Sequence, residues 1–301
     1  MSKKVFLKGT LILACTGLVS RIAGFFYRIF LSHAIGAEGL GLYQLILPLQ
    51  GLMAALSYTG IQSALSRLIA SRLALQEKKE AYFSLVTGIF AAVFFSAVTG
   101  FLLFRHADFF ASTILKAPGT SDLLRLTAAS IPLCAIHSCI DSYYYARKKA
   151  SVPAAVQLSE QAVRIGATYI LYLIFLSEGR PVTAMIAAGG SLAGEAAASL
   201  ISLLMVSFHF GNHPVKEKTS VKIFPLIKDL FTLSFPISLN RILLTLLGSI
   251  EAVLIPQMLI RCGMTSSEAL KIYGIFTGMA LPLLLFPSTL TTSAAVMLMP
   301  S

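Results

Sequence analysis

The 301-residue chain carries 24 Lys and Arg against 13 Asp and Glu, and only 12% of its residues are charged, about half the share of a soluble domain. With 56% hydrophobic residues and a mean hydropathy of +0.80, no stretch is polar enough to house a separate soluble catalytic domain. The net charge of +11 is split into short basic clusters between apolar runs, not laid along one face, which argues against nucleic acid and for membrane lipids as partners.

Eight apolar segments follow one another, at about residues 10–35, 42–69, 82–104, 123–145, 153–176, 182–208, 230–259 and 270–298. Each reaches about 20 residues, or about 30 Å of helix, which the hydrocarbon core requires. The first is too long for the core of a signal peptide, since it continues past Arg21 to Ile35. Alternation in ten-residue segments, the mark of a membrane β-barrel, is missing. The expected fold class is therefore an all-α polytopic membrane protein.

Polar residues inside these spans carry most of the information, because a charge deep in a span costs about 2.5 to 3.5 kcal/mol on insertion scales and so faces a cavity or a partner. In the first span Gly17, Arg21, Gly24 and Arg28 recur at helical spacing on one face. Leu18, Ile22, Phe25, Phe26 and Ile29 take the other, and no acidic residue lies in the span. The fourth span holds Cys134, His137 and Cys139. The four cysteines, with Cys15 and Cys262, show neither a disulfide framework nor metal spacing and read as packing residues. The five histidines, His33, His106, His137, His209 and His213, read as interfacial or capping residues. In the fifth span Gln157, Gln161, Arg164 and Thr168 share a stripe, and Glu160, four residues before Arg164, forms a structural ion pair with it. The sixth places Ser191, Glu195, Ser199 and Ser202 on one face beside Gly190 and Gly194, a small-residue helix contact, with Glu195 set to partner an arginine across the bundle.

A polar connection at residues 210–228 then separates a six-helix lobe, residues 1–209, from residues 229–301, the first two helices of a second lobe. The seventh span sets Ser238, Arg241, Thr245 and Gly248 on one face, with Glu251 about 15 Å further along the axis. Arg21 follows Lys8 by the same interval as Arg241 follows Lys228, as parallel repeats of a two-lobed transporter would. Pro236, Pro256, Pro282 and Pro287 are expected to bend the last two spans. Six helices against two, and an end at Met299, Pro300 and Ser301 straight after an apolar run, point to a missing carboxy-terminal part. Lys and Arg cluster at residues 3–8, 67–79, 147–149 and 216–228, fourteen in all, whereas the alternate connections hold Arg105, Lys116, Arg180 and Arg261. That asymmetry places the amino terminus in the cytoplasm. Phosphate-loop, HExxH and paired-carboxylate signatures are absent, so neither an enzyme, a cofactor nor a metal site is expected.

The runs SRIAGFFYRIF at residues 20–30, IGAEGLGLYQL at 35–45, SEQAVRI at 159–165, GEAAASL at 194–200 and SFPISLNRI at 234–242 carry a resemblance. Together they are similar to the polysaccharide transporter branch of the multidrug/oligosaccharidyl-lipid/polysaccharide exporter superfamily, and within it to the stage V sporulation protein B group. The resemblance implies a two-lobed MATE-like helical bundle around a central cationic cavity, which passes a lipid-linked oligosaccharide across the bacterial cell membrane by alternating access. By it, Arg21 and Arg28 match basic positions of the first helix and Arg241 one at the start of the second lobe. With Glu195 and Glu251 they form the expected substrate-binding set. The leading expectation is a flippase for an undecaprenyl-pyrophosphate-linked saccharide, a lipid II-like peptidoglycan precursor or a polysaccharide unit. A cation-coupled multidrug antiporter would expose unpaired acidic residues in the first lobe, and a non-transporting scaffold would recruit cell-wall synthesis enzymes.

Overall fold

The computed structural model describes residues 3–212 and 223–285. It is built from α1 (Lys3–Ser57), α2 (Thr59–Ala74), α3 (Lys78–Arg105), α4 (Ala107–Phe109), α5 (Ser121–Ala146), α6 (Ser151–Ser177), α7 (Met185–Asn212), α8 (Ile223–Arg261), α9 (Ser266–Ile275) and α10 (Leu281–Leu284). No strand occurs among the described residues. Five helical runs are long and apolar enough to cross a membrane: Leu11–Ser57, Lys78–Arg105, Pro118–Ala146, Met185–Gly211 and Phe224–Arg261. The 27 residues of α6 also reach about 40 Å at 1.5 Å per residue, although its polar stripe lowers its hydropathy.

The longest run, α1, is two helical arms joined at Gly36, whose φ of 71° and ψ of 172° fall where a Cβ is not tolerated and only glycine sits readily. Sequence periodicity separates the same two arms. The second arm continues past a kink at Tyr58 (φ −129°) into α2, because the backbone bonds Tyr58 N to Ala54 O and Gln62 N to Tyr58 O bridge it. The helices thus overrun the apolar segment at 42–69 at both ends. Apolar runs mark the depth of hydrocarbon, whereas helical hydrogen bonding persists into the interface. Similarly α7 reaches Asn212 and α8 begins at Ile223, so Lys228 lies within α8, and Lys216, Lys218 and Lys222 of the basic connection fall in the stretch 213–222 outside the described residues. Helix α8 runs through Pro236 and Pro256. A wide π turn, Phe276–Ala280, precedes α10 with its Pro282, while Pro287 and the end of the eighth segment lie outside the described residues.

Two apolar clusters hold the bundle together. One gathers Tyr27, Leu31, Leu40, Ile46, Leu124 and Ile131 with Ala187 and Tyr273. The other gathers Ile61, Leu65, Ile69, Leu85, Ala135, Ile140 and Val206 with Leu230. Close backbone approach makes several of the helix contacts possible. A Cβ on Gly274 would lie 2.6 Å from Ala37 O and 2.8 Å from Gly41 Cα, so α9 rests directly on the second arm of α1. A Cβ on Gly190 would lie 2.8 Å from Arg164 O, and one on Gly194 3.0 Å from Glu160 O. The small-residue contact expected for α7 is therefore its seam with α6. At the start of α9, Thr265 and Glu268 form a reciprocal capping box, and the backbone amide of Thr265 holds the Glu268 carboxyl below its ordinary pKa.

The large exposed side chains, Phe90, Phe101, Leu173, Leu200, Phe208 and Leu247 among them, cover the outside with the apolar surface that lipid requires. Polar contacts mark the two ends. At one end Arg72 bonds Asp229 at 2.9 Å, Arg147 bonds His209, and Tyr82 meets Phe210 edge-on at 4.6 Å. At the other, Arg125 bonds Asp108 at 2.8 Å, and Ser267 donates to Glu38 at 2.5 Å. Arg72, Tyr82, Arg147, His209, Phe210 and Asp229 thus share one end, in agreement with alternate connections lying on one side.

Candidate functional site

A polar layer lies between the two apolar clusters. On α5, Ile131 belongs to the first cluster and Ala135 to the second, and Cys134 and His137 stand at that boundary. On α7, Glu195 falls between Ala188 and Val206, and Tyr58 packs on both clusters from the α1–α2 kink. Three helices supply the charged members. Arg164 of α6 bonds Glu160 of its own helix and, at 3.4 Å, Oε1 of Glu195. Oε2 of Glu195 lies 2.9 Å from Nε2 of His137, whose Nδ1 faces Asp141 at 3.8 Å. Hydroxyls extend the layer: Tyr27 meets Thr168 at 3.0 Å and Tyr43 meets Ser191 at 2.9 Å. Ser199 donates to Leu133 O at 2.6 Å, tying α7 to α5.

Several sequence-derived residues come together here. Glu160 pairs with Arg164, as their four-residue spacing implies, and Glu195 meets that arginine across the bundle. Ser191, Glu195, Ser199 and Ser202 line the same inward face of α7, the last three buried. His137 corrects an expectation: it is neither interfacial nor a cap but a mid-bundle partner of Glu195. Cys134, His137 and Asp141 recur at three- and four-residue intervals, which places them on one helix face. That signal was present in the sequence, but their partner on α7 is 58 positions away from His137.

The remaining basic positions lie outside the ion-pair cluster of this layer. Arg21 is exposed on the first arm of α1. A Cβ on Gly24, one turn further, would lie 3.7 Å from Gln161 Nε2, so this polar face borders the polar stripe of α6. Arg28 is half-buried next to Tyr43. On α8, Arg241 and Glu251 are both exposed, while Ser249 donates to Pro48 O of α1 at 3.0 Å. Among the described residues Arg28, Arg241 and Glu251 have no ion-pair partner. Arg164, by contrast, serves two carboxylates.

A model of the family described as polysaccharide biosynthesis protein matches residues 6–301. Stage V sporulation protein B of Bacillus subtilis (strain 168) is 32% identical over 310 residues, which cover 100% of this chain and 58% of that protein. The uncharacterized membrane protein YabM of the same organism is 24% identical over 97% of this chain and 54% of its own length. The chain therefore spans little more than half the length of these relatives. Among solved structures, the MATE multidrug transporter DinF-BH superposes with a TM-score of 0.67 at 16% identity, over 97% of this chain and 64% of that one. A MOP superfamily transporter from Pyrococcus furiosus, whose binding pocket is described as having reverse polarity, gives 0.62 at 17% identity, over 92% of this chain and 65% of that one. The fold is thus that of the MATE-like exporters, and the helices make this a multi-pass membrane protein. With the match running from residue 6 to residue 301, the chain belongs to the polysaccharide biosynthesis protein family.

Proposed function

We propose that this chain supplies the first lobe, and the start of the second, of a flippase that moves an undecaprenyl-pyrophosphate-linked saccharide across the bacterial cell membrane by alternating access, with its amino terminus in the cytoplasm. One observation carries this reading. The acidic groups of the lobe interior are engaged, Glu160 and Glu195 by Arg164, and Glu195 and Asp141 by His137, whereas Arg28 and Arg241 have no ion-pair partner among the described residues. Arg28 of the first lobe and Arg241 of α8 thus offer positive charge to a ligand. A cationic drug would need the opposite, which disfavours the antiporter.

A pyrophosphate crossing about 30 Å of hydrocarbon requires counter-charge, and guanidiniums match phosphate oxygens with paired, charge-assisted hydrogen bonds. Arg21 and Arg28 on the first arm of α1 and Arg241 on α8 form the phosphate-binding set. Glu195 and Glu251 border it, the first by holding Arg164 in place and the second as the acidic end of the α8 face. The polyprenyl tail stays in lipid.

Native mass spectrometry of the complete protein with a lipid II analogue and with uncharged polyprenol tests the reading. The lipid-linked pyrophosphate is expected to bind in preference to polyprenol, and Arg28→Ala, Arg241→Ala and Arg21→Ala are each expected to weaken it strongly while membrane insertion is kept. Arg21→Lys should retain part of the binding, since the charge remains and the planar fork is lost. Equal affinity for both lipids, or unchanged binding by an Arg28→Ala/Arg241→Ala double variant, would remove the cationic site and favour a scaffold that recruits cell-wall synthesis enzymes.

A further inference from the structure

A Cys-x-x-His pair on α5 and a carboxylate from α7 converge inside the first six helices. The donor atoms of Cys134, His137 and Glu195 all lie within 4.8 Å of one another, and Cys134 and Glu195 are buried. We propose that these three side chains bind a thiophilic divalent cation of the zinc class, which clamps α5 to α7 at the centre of the lobe.

The donor chemistry fits. Thiolate, imidazole and carboxylate are ordinary zinc donors, and three of them leave one tetrahedral position for water. Cys134 and His137, three residues apart on a helix, present their donors from one face. Glu195 comes from a second helix, so the metal would add a bond between two elements already joined by the Ser199 bond to Leu133 O and by His137 with Glu195. His137 Nε2 and Glu195 Oε2, at 2.9 Å, share a proton that the metal would replace. Oε1 of the same carboxylate lies 3.4 Å from Arg164, which orients it and leaves Oε2 for the metal.

The surroundings supply what a metal-bound imidazole needs. Asp141 faces Nδ1 of His137 at 3.8 Å, beyond hydrogen-bond distance but placed as the outer carboxylate that would accept from Nδ1 once metal binding draws the cluster together and leaves Nε2 for coordination. Both Nδ1 of His137 and Oδ1 of Asp141 are buried without a hydrogen-bond partner among the described residues, so hydrogen bonding alone leaves the cluster incomplete. Glu160 and Glu195 flank Arg164 and Asp141 faces His137, so a dication enters a cluster in which three carboxylates meet one guanidinium and one imidazole. On binding, the Cys134 thiol proton and the shared proton pass to solvent.

Cobalt is the probe, because its complex with a thiolate absorbs in the near ultraviolet where imidazole and carboxylate complexes do not. The complete protein is purified in detergent with every cysteine but Cys134 replaced by Ser, Cys15, Cys139 and Cys262 among them, so that Cys134 alone can contribute the band. One Co²⁺ per chain with thiolate charge-transfer absorption is expected, displaced by Zn²⁺. Cys134→Ser and His137→Ala should abolish the band, and Asp141→Asn should weaken binding by about 10- to 100-fold. The measurement on the protein with Cys134 intact decides the matter without depending on how the variants fold. A monodisperse sample that gives no such band, or one in which the band survives Cys134→Ser, would overturn the site. Lipid binding is read separately, so the outcome is independent of the proposed transport substrate.

Discussion

Arg164 shows at the scale of a single residue why a charge persists at mid-membrane depth. It is 22% exposed, beside Glu160 at 17% and Glu195 at 11%, and it neutralises carboxylates on two helices. Removing one partner of a buried pair strands the other charge, at a cost of about 3 to 5 kcal/mol. Arg164→Gln is therefore expected to lower the thermal unfolding midpoint of the detergent-solubilised protein sharply. Glu160→Gln combined with Arg164→Gln should be milder, because one carboxylate is neutralised with its partner and only Glu195 must rely on His137. A double variant as unstable as the single one would show that Glu160 contributes nothing to the pairing. His137 teaches the complementary lesson: a lone histidine in an apolar run acquires meaning only from what another helix brings to it.

Helix contacts in this bundle depend on absent side chains as much as on present ones. Between α9 and the second arm of α1, the position a Gly274 Cβ would take is bounded by backbone atoms of Ala37 and Gly41, which cannot rotate out of the way as a side chain can. Gly274→Val should push α9 off α1 and separate Glu38 from Ser267, now joined at 2.5 Å. In a Glu38→Cys/Ser267→Cys background, a short thiol crosslinker should join the two helices with Gly274 present and fail with Gly274→Val. Crosslinking of equal yield would mean that the contact tolerates displacement. At the break in α1 the requirement is conformational instead: Gly36 holds a positive φ that separates two arms which a residue with a Cβ would tend to fuse into one continuous helix.

Charge asymmetry and contact geometry meet at the scale of the whole molecule. The ion pair of Arg72 with Asp229 and the bond of Arg147 with His209 put these residues at one end, which the proposed orientation, drawn from the positive-inside tendency, sets in the cytoplasm. Single cysteines at Lys78 and Lys149, in a cysteine-free background, should be shielded from an impermeant thiol reagent in intact cells. Those at Lys116 and Arg180 should label. Reversed labelling would invert the orientation, and labelling of one member from each set would break the count of passes. Helix α8 ties the following segment to the lobe through Gly60, whose Cβ position is filled by Ser238, and through Ser249. Yet only 11% of its most apolar window is buried, so most of that surface remains for lipid or for further helices.

Fold class, the order of the helices, the parity of their connections and the pairing of Glu160 with Arg164 were legible in the sequence, because each rests on local periodicity or on a partition between water and hydrocarbon that acts residue by residue. The glycine pair of α7 was legible as a contact, though its partner on α6 was not. Only the tertiary structure decided that Glu195 meets both Arg164 and His137, that Cys134 and Asp141 join them, and that this layer lies between two apolar clusters. Those facts depend on which faces of α5, α6 and α7 turn toward one another. Within a membrane every helix is apolar enough to face any neighbour, so hydrophobic pattern alone does not choose among them. Close backbone approach at glycines and the need to pair buried charges make that choice, and both are properties of the assembled bundle.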